Sequence, residues 1–232
     1  MLDYAVAPAV LARIAPPRRS YSGAEASYTG FILFRVRFLE GPLADWFDAI
    51  DAERKAFIER QRMFFVATAP DDLSGDDWPN LSPKGRTLVR VLGPNRLGWL
   101  DYPGSGNETA RHTRQNQKVT LMFCSFEATA GILRVYGRGH AIELDSPEFA
   151  DVREAFREDA HPYVRQAFLV EVEKLQTSCG YAVPRYEYRE ERRTLDLWCE
   201  RRLEGHEMVD GLPAGGPLRM KDGELLAERY GH

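Results

Sequence analysis

A glycine-rich turn that leads into a short helix is the strongest candidate for chemistry in this sequence. The turn reads Gly104-Ser105-Gly106-Asn107-Glu108, and its Ser and Glu have the spacing of a capping box, with Ser105 as the N-cap residue. Thr109 to Asn116 contain neither Gly nor Pro and are predicted to form the helix. Free backbone N–H groups and the helix dipole favour an anion at such a helix start. The pattern indicates a phosphate cradle, although a helix cap without any ligand has the same pattern.

Two basic residues in or beside predicted strands would add positive charge to this cradle. Lys84 lies at a strand end, where it either reaches a ligand or is an ordinary surface lysine. Arg134 lies within an apolar strand, where a charge is costly unless it is paired. We expect Arg134 to pair with an acid such as Asp101 or with a ligand phosphate, which suits its planar guanidinium. Hydroxyl and backbone donors to that phosphate are expected from three turn residues, Ser105, Gly106 and Asn107.

The remaining candidates have simpler interpretations. The acidic stretch from Asp71 to Asp77 has no fixed ligand pattern and is interpreted as a solvated loop rather than a metal site. Cys179 has no base nearby in the sequence, so a packing or pocket-wall role is favoured over a nucleophile. His112 and His140 have no partner at metal-binding spacing.

Short alternating runs between these motifs predict the strands that position them. Ile132 to Glu143 is the longest, with Arg134 and Tyr136 on the face opposite Leu133 and Val135. Gly137 and Gly139 in this strand indicate a bend or a close backbone approach. The other predicted strands are Met63 to Thr68, Asn80 to Ser82 (stopped by Pro83), Thr87 to Leu92, Arg96 to Tyr102, Lys118 to Phe126 and Ala167 to Leu175.

Three further helices and two terminal segments complete the predicted organisation. One helix runs from about Leu43 to Arg60, a second starts at N-cap Ser146 and a third covers Glu190 to Leu203, before Gly205.

Residues 1–44 are expected to be a poorly ordered extension, or alternatively an added strand on a partner subunit. Residues 45–212 are predicted to be the domain and residues 213–232 a flexible tail. About six antiparallel strands with helices predict an α+β fold, mainly β, either a small closed or split β-barrel or an open sheet.

Composition limits the function classes. The chain has 232 residues, 44% of them hydrophobic, and a net charge of −4 without a long basic run, so nucleic-acid binding is not expected. Three cysteines without a CxxC pair favour a reducing compartment. The amino terminus lacks the pattern of a secretory signal, and no apolar run reaches about 18 residues, so no membrane span is expected. Together these features predict a cytoplasmic protein.

The same residues carry a resemblance to a known family. The chain resembles the pyridoxamine 5′-phosphate oxidase-like superfamily of FMN-binding split barrels, and within it the flavin-nucleotide-binding branch, from about Trp46 to about Leu212. The motifs are Phe57 to Gln61, Met63 to Ala69, Asn80 to Gly85, Gly104 to Glu108, Leu121 to Phe123, Ile132 to Gly137 and Gln176 to Tyr181.

The resemblance implies a split β-barrel, bound FMN and a homodimer with the flavin between its subunits. The cofactor-binding residues it implies are Asn80, Ser82, Lys84, Asp101, Ser105, Gly106, Asn107, Glu108 and Arg134. The expected activity is that of an oxidoreductase acting on a small-molecule substrate or a nicotinamide donor. Alternatives are a non-catalytic flavin- or haem-binding protein and a deazaflavin-dependent reductase, which would need a larger basic groove.

The sequence also departs from the vitamin B6 oxidase pattern. The lysine of its basic strand is matched by Lys84, but the arginine of that strand is not matched. The basic residues after the turn serine are replaced by Gly106 and Asn107, and its carboxyl-terminal arginine motif has no counterpart. Flavin binding is therefore expected, whereas oxidation of pyridoxamine phosphate is not.

Overall fold

A computed structural model describes residues 44–86, 89–104, 106–156, 163–209 and 212–213. The four helices of these ranges are α1 (Ala52–Arg60), α2 (Glu108–Asn116), α3 (Pro147–Ala155) and α4 (Thr194–Leu203). The strands are β1 (Trp46–Phe47), β2 (Met63–Thr68), β3 (Asn80–Gly85), β4 (Arg90–Gly93), β5 (Arg96–Asp101), β6 (Lys118–Cys124), β7 (Ile132–Ile142), β8 (Gln166–Ser178), β9 (Met208–Val209) and β10 (Leu212–Pro213). Residues 1–43 of the predicted extension and 214–232 of the predicted tail lie outside this description, and the division into three segments stays a prediction.

One antiparallel sheet organises the described chain. Its strand order is β3-β2-β6-β7-β8-β5-β4, and the short β1 pairs with β8 beside this path. The long strands β7 and β8 form its centre, from Ile132 opposite Ser178 to Ile142 opposite Ala167. The fold is therefore α+β and mainly β, as the alternating runs predict.

Contacts between strands that are distant in this order show that the sheet is rolled up. β6, β7 and β8 lie between β2 and β5, yet the rings of Phe64 and Trp99 are 5.7 Å apart. Lys84 of β3 likewise contacts Asp101 of β5, with Nζ 3.2 Å from Oδ1. The two ends of the order, β3 and β4, each pair with one strand in the described residues. The sheet is thus a split β-barrel with its open side between β3 and β4.

Two apolar clusters hold the barrel and its helices. The first fills the barrel interior and includes Val66, Leu121 and Val135, all fully buried. The second lies under α3 and α4 and includes Phe156 and Trp198. Since burial of each large apolar side chain contributes about 1.5–3 kcal/mol, these clusters are the main support of the fold.

The glycines predicted to mark a bend in the longest strand lie at an irregularity of the sheet. The register between β7 and β8 shifts between Tyr136 and Gly137. A Cβ atom on Gly137 would lie 2.2 Å from the backbone oxygen of Glu171. The close backbone approach predicted for Gly137 is confirmed.

Several predicted boundaries are wrong, among them the end of β8, which continues past Leu175 to Ser178. α1 begins only after Asp51, whose carboxylate accepts a hydrogen bond from the backbone N–H of Arg54, because Trp46–Phe47 pairs with β8 instead of continuing a helix. α4 begins at Thr194 rather than at Glu190. β3 continues through Pro83 to Gly85, because it is an edge strand and a proline there interrupts no further ladder. No helix in the described ranges has the length and hydropathy needed to span a membrane.

Candidate functional site

A cleft of about 540 Å³ lies beside the open side of the barrel. It is bounded by β3, by the end of β5 with the loop that follows, by the start of α2 and by the start of α4. Its lining combines polar and apolar side chains. The polar ones are Asn80, Ser82, Lys84, Asp101, Asn107, Glu108, Thr109 and Arg165, and the apolar ones include Leu81, Pro83, Tyr102, Pro103 and Leu195.

A buried carboxylate, that of Asp101, is held by three side chains at the wall of this cleft. Its Oδ1 accepts a hydrogen bond from Lys84 Nζ at 3.2 Å. Its Oδ2 accepts from Arg165 Nε and from Gln166 Nε2, both at 2.7 Å. Two cations therefore converge on one anion, which leaves an excess of positive charge around this carboxylate.

The same partners keep Asp101 ionised. Burial alone raises the pKa of the Asp101 carboxyl, but the charges of Lys84 and Arg165 and the hydrogen bond from Gln166 outweigh it. The pKa of Asp101 consequently lies below its ordinary value. The ion pairs with both cations are present throughout the neutral pH range.

The turn that precedes α2 differs from the predicted capping box. The N-cap residue is Asn107, and Glu108 is the first helical residue. The Asn107 side chain makes no cap hydrogen bond, because its Oδ1 accepts from Gln166 Nε2 at 2.8 Å. Ser105, the predicted N-cap residue, lies outside the described residues.

Glu108 folds back over the turn. Its two carboxylate oxygens lie 2.3 Å from the position of a Cβ atom on Gly106, so a side chain at residue 106 would displace them. The Gly106 carbonyl accepts a hydrogen bond from Arg165 Nη2 at 3.1 Å. The turn is thus enclosed between a guanidinium and a carboxylate, both of which line the cleft.

A chain of polar side chains connects β3 to α2. Asn80 Nδ2 donates to Thr109 Oγ1 at 3.2 Å, and Ser82 Oγ donates to Asn80 Oδ1 at 3.0 Å. All three side chains line the cleft. The edge strand is thereby held against the start of the helix.

Arg134 is the described candidate that the structure does not bring to the cleft. It lies in β7, opposite Met122 and Gln176, and its Nη1 donates to Ser178 Oγ at 3.1 Å. The predicted partner Asp101 is instead held by Lys84 and Arg165. The other described candidates, Asn80, Ser82, Lys84, Asp101, Gly106, Asn107 and Glu108, all line the cleft.

Sequence reasoning missed Arg165, Gln166 and Thr109. Gln166 is opposite Asp101 in the β5–β8 ladder, and Arg165 directly precedes that strand. Two polar residues directly before the apolar run from Ala167 are a local sign that this strand begins at a polar site. That they bind Asp101, however, depends on the register between β5 and β8. β5 and β8 are far apart in the chain, and no short turn between them fixes which residues lie opposite each other. Their register therefore does not follow from the sequence of either strand alone.

The acidic loop and His112 form a separate structural network. His112 is fully buried, with Nδ1 3.0 Å from Thr68 Oγ1 and Nε2 3.1 Å from Asp77 Oδ1. Arg111 donates two hydrogen bonds to the Asp77 carboxylate, at 2.6 and 3.1 Å. Hydrogen bonds from Arg111 and His112 lower the pKa of Asp77 from 3.8 to about 2. This loop carboxylate therefore anchors the loop to α2 and is only partly exposed.

Comparison with known proteins places the chain in a family. The profile of the pyridoxamine 5′-phosphate oxidase family matches residues 50–179, which covers more than half of the chain. The chain belongs to this family. It is 33% identical over 141 residues to the pyridoxamine 5′-phosphate oxidase family protein ustO of Aspergillus flavus. That match covers 60% of this chain and 55% of the fungal protein, so the chain spans about half the length of this relative.

Solved structures with partial likeness to the chain include two bacterial proteins. HupZ of Group A Streptococcus is 18% identical, with a TM-score of 0.43 over 54% of this chain and 91% of that one. An FMN-binding protein from Syntrophomonas wolfei is 12% identical, with a TM-score of 0.39 over 52% of this chain and 80% of that one. These likenesses are too partial to bear on function.

Proposed function

We propose that the cleft binds FMN and that Lys84 and Arg165 bind its phosphate. The observation that carries this proposal is the convergence of both cations on one buried carboxylate, Asp101, at the wall of the cleft. A guanidinium and an ammonium make strong, charge-assisted hydrogen bonds to phosphate oxygens. Because Asp101 has two cationic partners, either one can turn to a ligand while the other still neutralises the carboxylate.

The rest of the cleft is suited to a ligand that is polar at one end and planar and apolar elsewhere. Asn80, Ser82 and Thr109 present hydroxyl and amide groups that can reach the polar edge of a ring. Tyr102, together with Leu81, Pro83, Pro103 and Leu195, supplies apolar surface. A volume of about 540 Å³ lies in the range of small-molecule and cofactor sites.

The proposed activity is that of an oxidoreductase. Bound flavin supplies the electron-transfer chemistry, whereas the protein supplies binding, orientation and electrostatics. Family membership supports this class, and the electron partner we propose is a small oxidisable molecule or a nicotinamide donor. Lys84 and Arg165 would orient the flavin by its phosphate and thereby fix which part of the cleft remains for the second reactant.

The lining residues favour flavin over the two rival ligands. Haem is usually held by an imidazole or a sulfur ligand, and none of the described residues that line the cleft is His, Cys or Met. His112 uses both ring nitrogens for Thr68 and Asp77. A deazaflavin with a long anionic tail would need more basic residues than Lys84 and Arg165, the two that line the described cleft.

We also propose that the protein is a homodimer. Large apolar side chains are exposed beside the cleft, with Trp78 78% and Leu81 66% exposed, and Leu81 lies on the edge strand. Trp46, 54% exposed, stacks on Tyr136 on the outside of the sheet. A second copy related by a two-fold axis would bury such surfaces in an isologous interface. Light scattering of dilute protein should give twice the chain mass; a flavin-loaded monomer would overturn this proposal.

The test of the cofactor is a titration of the purified, ligand-free protein with four compounds. FMN, riboflavin, haem and a deazaflavin are added separately, and binding is followed by fluorescence quenching or absorbance. FMN should bind with the highest affinity, well above riboflavin, which lacks the phosphate. Tight binding of haem or deazaflavin without FMN binding would contradict the proposal, and equal affinities for FMN and riboflavin would exclude the phosphate role of Lys84 and Arg165.

A further inference from the structure

A cluster of three polar side chains, two of them buried, lies beside the cleft, where α4 meets the chain after β3 and before β8. The carboxylate of Asp196, in the first turn of α4, accepts hydrogen bonds from the Arg86 guanidinium and from the Tyr163 hydroxyl. Arg86 Nη2 also donates to the Tyr163 oxygen at 3.3 Å. Asp196 is 8% exposed and Tyr163 4%. One buried carboxylate thus joins three separate stretches of the chain.

Each member of this cluster is close in sequence to a residue that lines the cleft. The three pairs are Arg86 with Lys84 two residues before it, Tyr163 with Arg165 two residues after it, and Asp196 with the adjacent Leu195. The ring of Tyr163 also packs 5.7 Å from that of Tyr102, another cleft residue. A displacement within the cluster would therefore be transmitted over one or two residues to both cations and to an apolar wall of the cleft.

We infer that Asp196 is a positioning residue of the cleft, which fixes Lys84, Arg165 and the start of α4 relative to one another. The inference rests on the proposed function, in which these two cations bind the ligand's phosphate. A buried carboxylate is tolerated only with its charged and hydrogen-bonding partners in place, so it holds those partners together. Burial and the hydrogen bond to Asp196 raise the pKa of Tyr163 above its ordinary value, so the phenol keeps its proton and remains a donor.

Loss of the Asp196 charge and displacement of the two cations would change phosphate affinity in opposite directions, which makes the inference testable. Removing the negative charge of Asp196 would, through its field, strengthen binding of an anion nearby and lower the pKa of Asp101. Displacing Lys84 and Arg165 would weaken phosphate binding and raise the pKa of Asp101. The sign of each change therefore separates positioning from a simple loss of charge.

The first test compares Asp196→Asn with the wild type for FMN and riboflavin affinity. We expect FMN affinity to fall about tenfold, as for the loss of one well-placed charged hydrogen bond, and riboflavin affinity to change less than about twofold. Tyr163→Phe, which removes one donor and retains Arg86, should change FMN affinity in the same direction by a smaller factor. Val152→Ala is the stability control. Val152 lies in α3 and belongs to the second apolar cluster, as Tyr163 does. The substitution should lower the thermal midpoint and leave both affinities unchanged.

The second test needs no flavin. The carboxyl carbon of Asp101 is titrated by carbon-13 NMR in the ligand-free wild type, in Asp196→Asn and in Val152→Ala. The pKa should rise toward its ordinary value in Asp196→Asn alone. An Asp101 pKa that falls or stays unchanged in Asp196→Asn would show that Asp196 is merely structural. The same conclusion would follow if this variant had a lower thermal midpoint but kept the wild-type ratio of FMN to riboflavin affinity. If the wild type does not prefer FMN, the proposed function fails, and the NMR titration still decides whether Asp196 positions the cations.

Discussion

Lys84 and Asp101 form an ion pair, with Nζ 3.2 Å from Oδ1, that joins the edge strand β3 to the end of β5 at the wall of the cleft. The Lys84 side chain is 20% exposed and that of Asp101 3%. The lysine therefore faces the cleft while the carboxylate is enclosed behind it. Since Arg165 also binds Asp101, a ligand phosphate can recruit Lys84 without leaving a buried charge unpaired.

This arrangement predicts that Lys84 contributes to phosphate affinity. In Lys84→Gln we expect FMN to bind roughly tenfold more weakly, because a hydrogen bond to a charged group contributes about 1.5–3 kcal/mol. Riboflavin should bind as in the wild type. Calorimetric or fluorescence titration measures both affinities. Lys118→Gln, on the exposed end of β6 away from the cleft, removes the same charge and should leave FMN affinity unchanged. Equal losses in the two variants would show a general charge effect only.

The parts of the site that could be predicted are those encoded locally. The glycine-rich turn before α2, the strand that begins at Asn80 and the end of β5 with Asp101 are each recognisable from short runs of residues. Their convergence on one cleft follows from the split-barrel resemblance, which supplies the topology that local patterns lack. The short pairing of Trp46–Phe47 with β8 was missed because two apolar residues fit a helical stripe as well as a strand.

The parts that could not be predicted depend on distant partners. Asn107 replaces Ser105 as the N-cap residue, and its side chain binds Gln166 rather than the helix. Arg134 is expected at the cleft because an arginine in an apolar strand needs a partner, but it lies on the half-buried face of β7, where it donates to Ser178 on the neighbouring strand and remains partly solvated. In both cases the competing contact comes from β8, whose register relative to the other strands is set by the whole sheet.

Glu108 is expected to oppose binding of a phosphate. Its carboxylate lines the cleft over Gly106, and a negative charge there repels a phosphate held by Lys84 and Arg165. In Glu108→Gln, FMN affinity should rise about threefold or more at low salt, where such repulsion is least screened, and riboflavin affinity should not change. Glu53→Gln, on the exposed side of α1, is the control for overall charge. Weaker FMN binding in Glu108→Gln would instead identify its carboxylate as a direct hydrogen-bond acceptor for the ligand.

Gly137 is expected to be essential for the sheet. A methyl group at this position would lie 2.2 Å from the Glu171 carbonyl oxygen, and the backbone of β8 would have to move. Gly137→Ala should lower the free energy of unfolding by about 1–3 kcal/mol, the usual cost of overpacking. Gly93→Ala, where a Cβ atom would meet nothing within 4 Å, is the matched control. Urea unfolding followed by circular dichroism compares the two; similar losses would exclude the steric explanation.

Asp77 is expected to make stability depend on acid pH. Hydrogen bonds from Arg111 and His112 lower its pKa from 3.8 to about 2, so the folded protein binds the proton less readily than the unfolded chain. The contribution of these contacts is therefore fully present above about pH 4 and is lost as the pH falls toward about 2. The difference in unfolding free energy between wild type and Asp77→Asn, measured in urea, should shrink across this interval. Asp76→Asn, which removes one charge from the same loop and leaves the Asp77 contacts in place, is the control for net charge. A difference for Asp77→Asn that stays constant down to about pH 2 would show that its ion pair does not couple to folding.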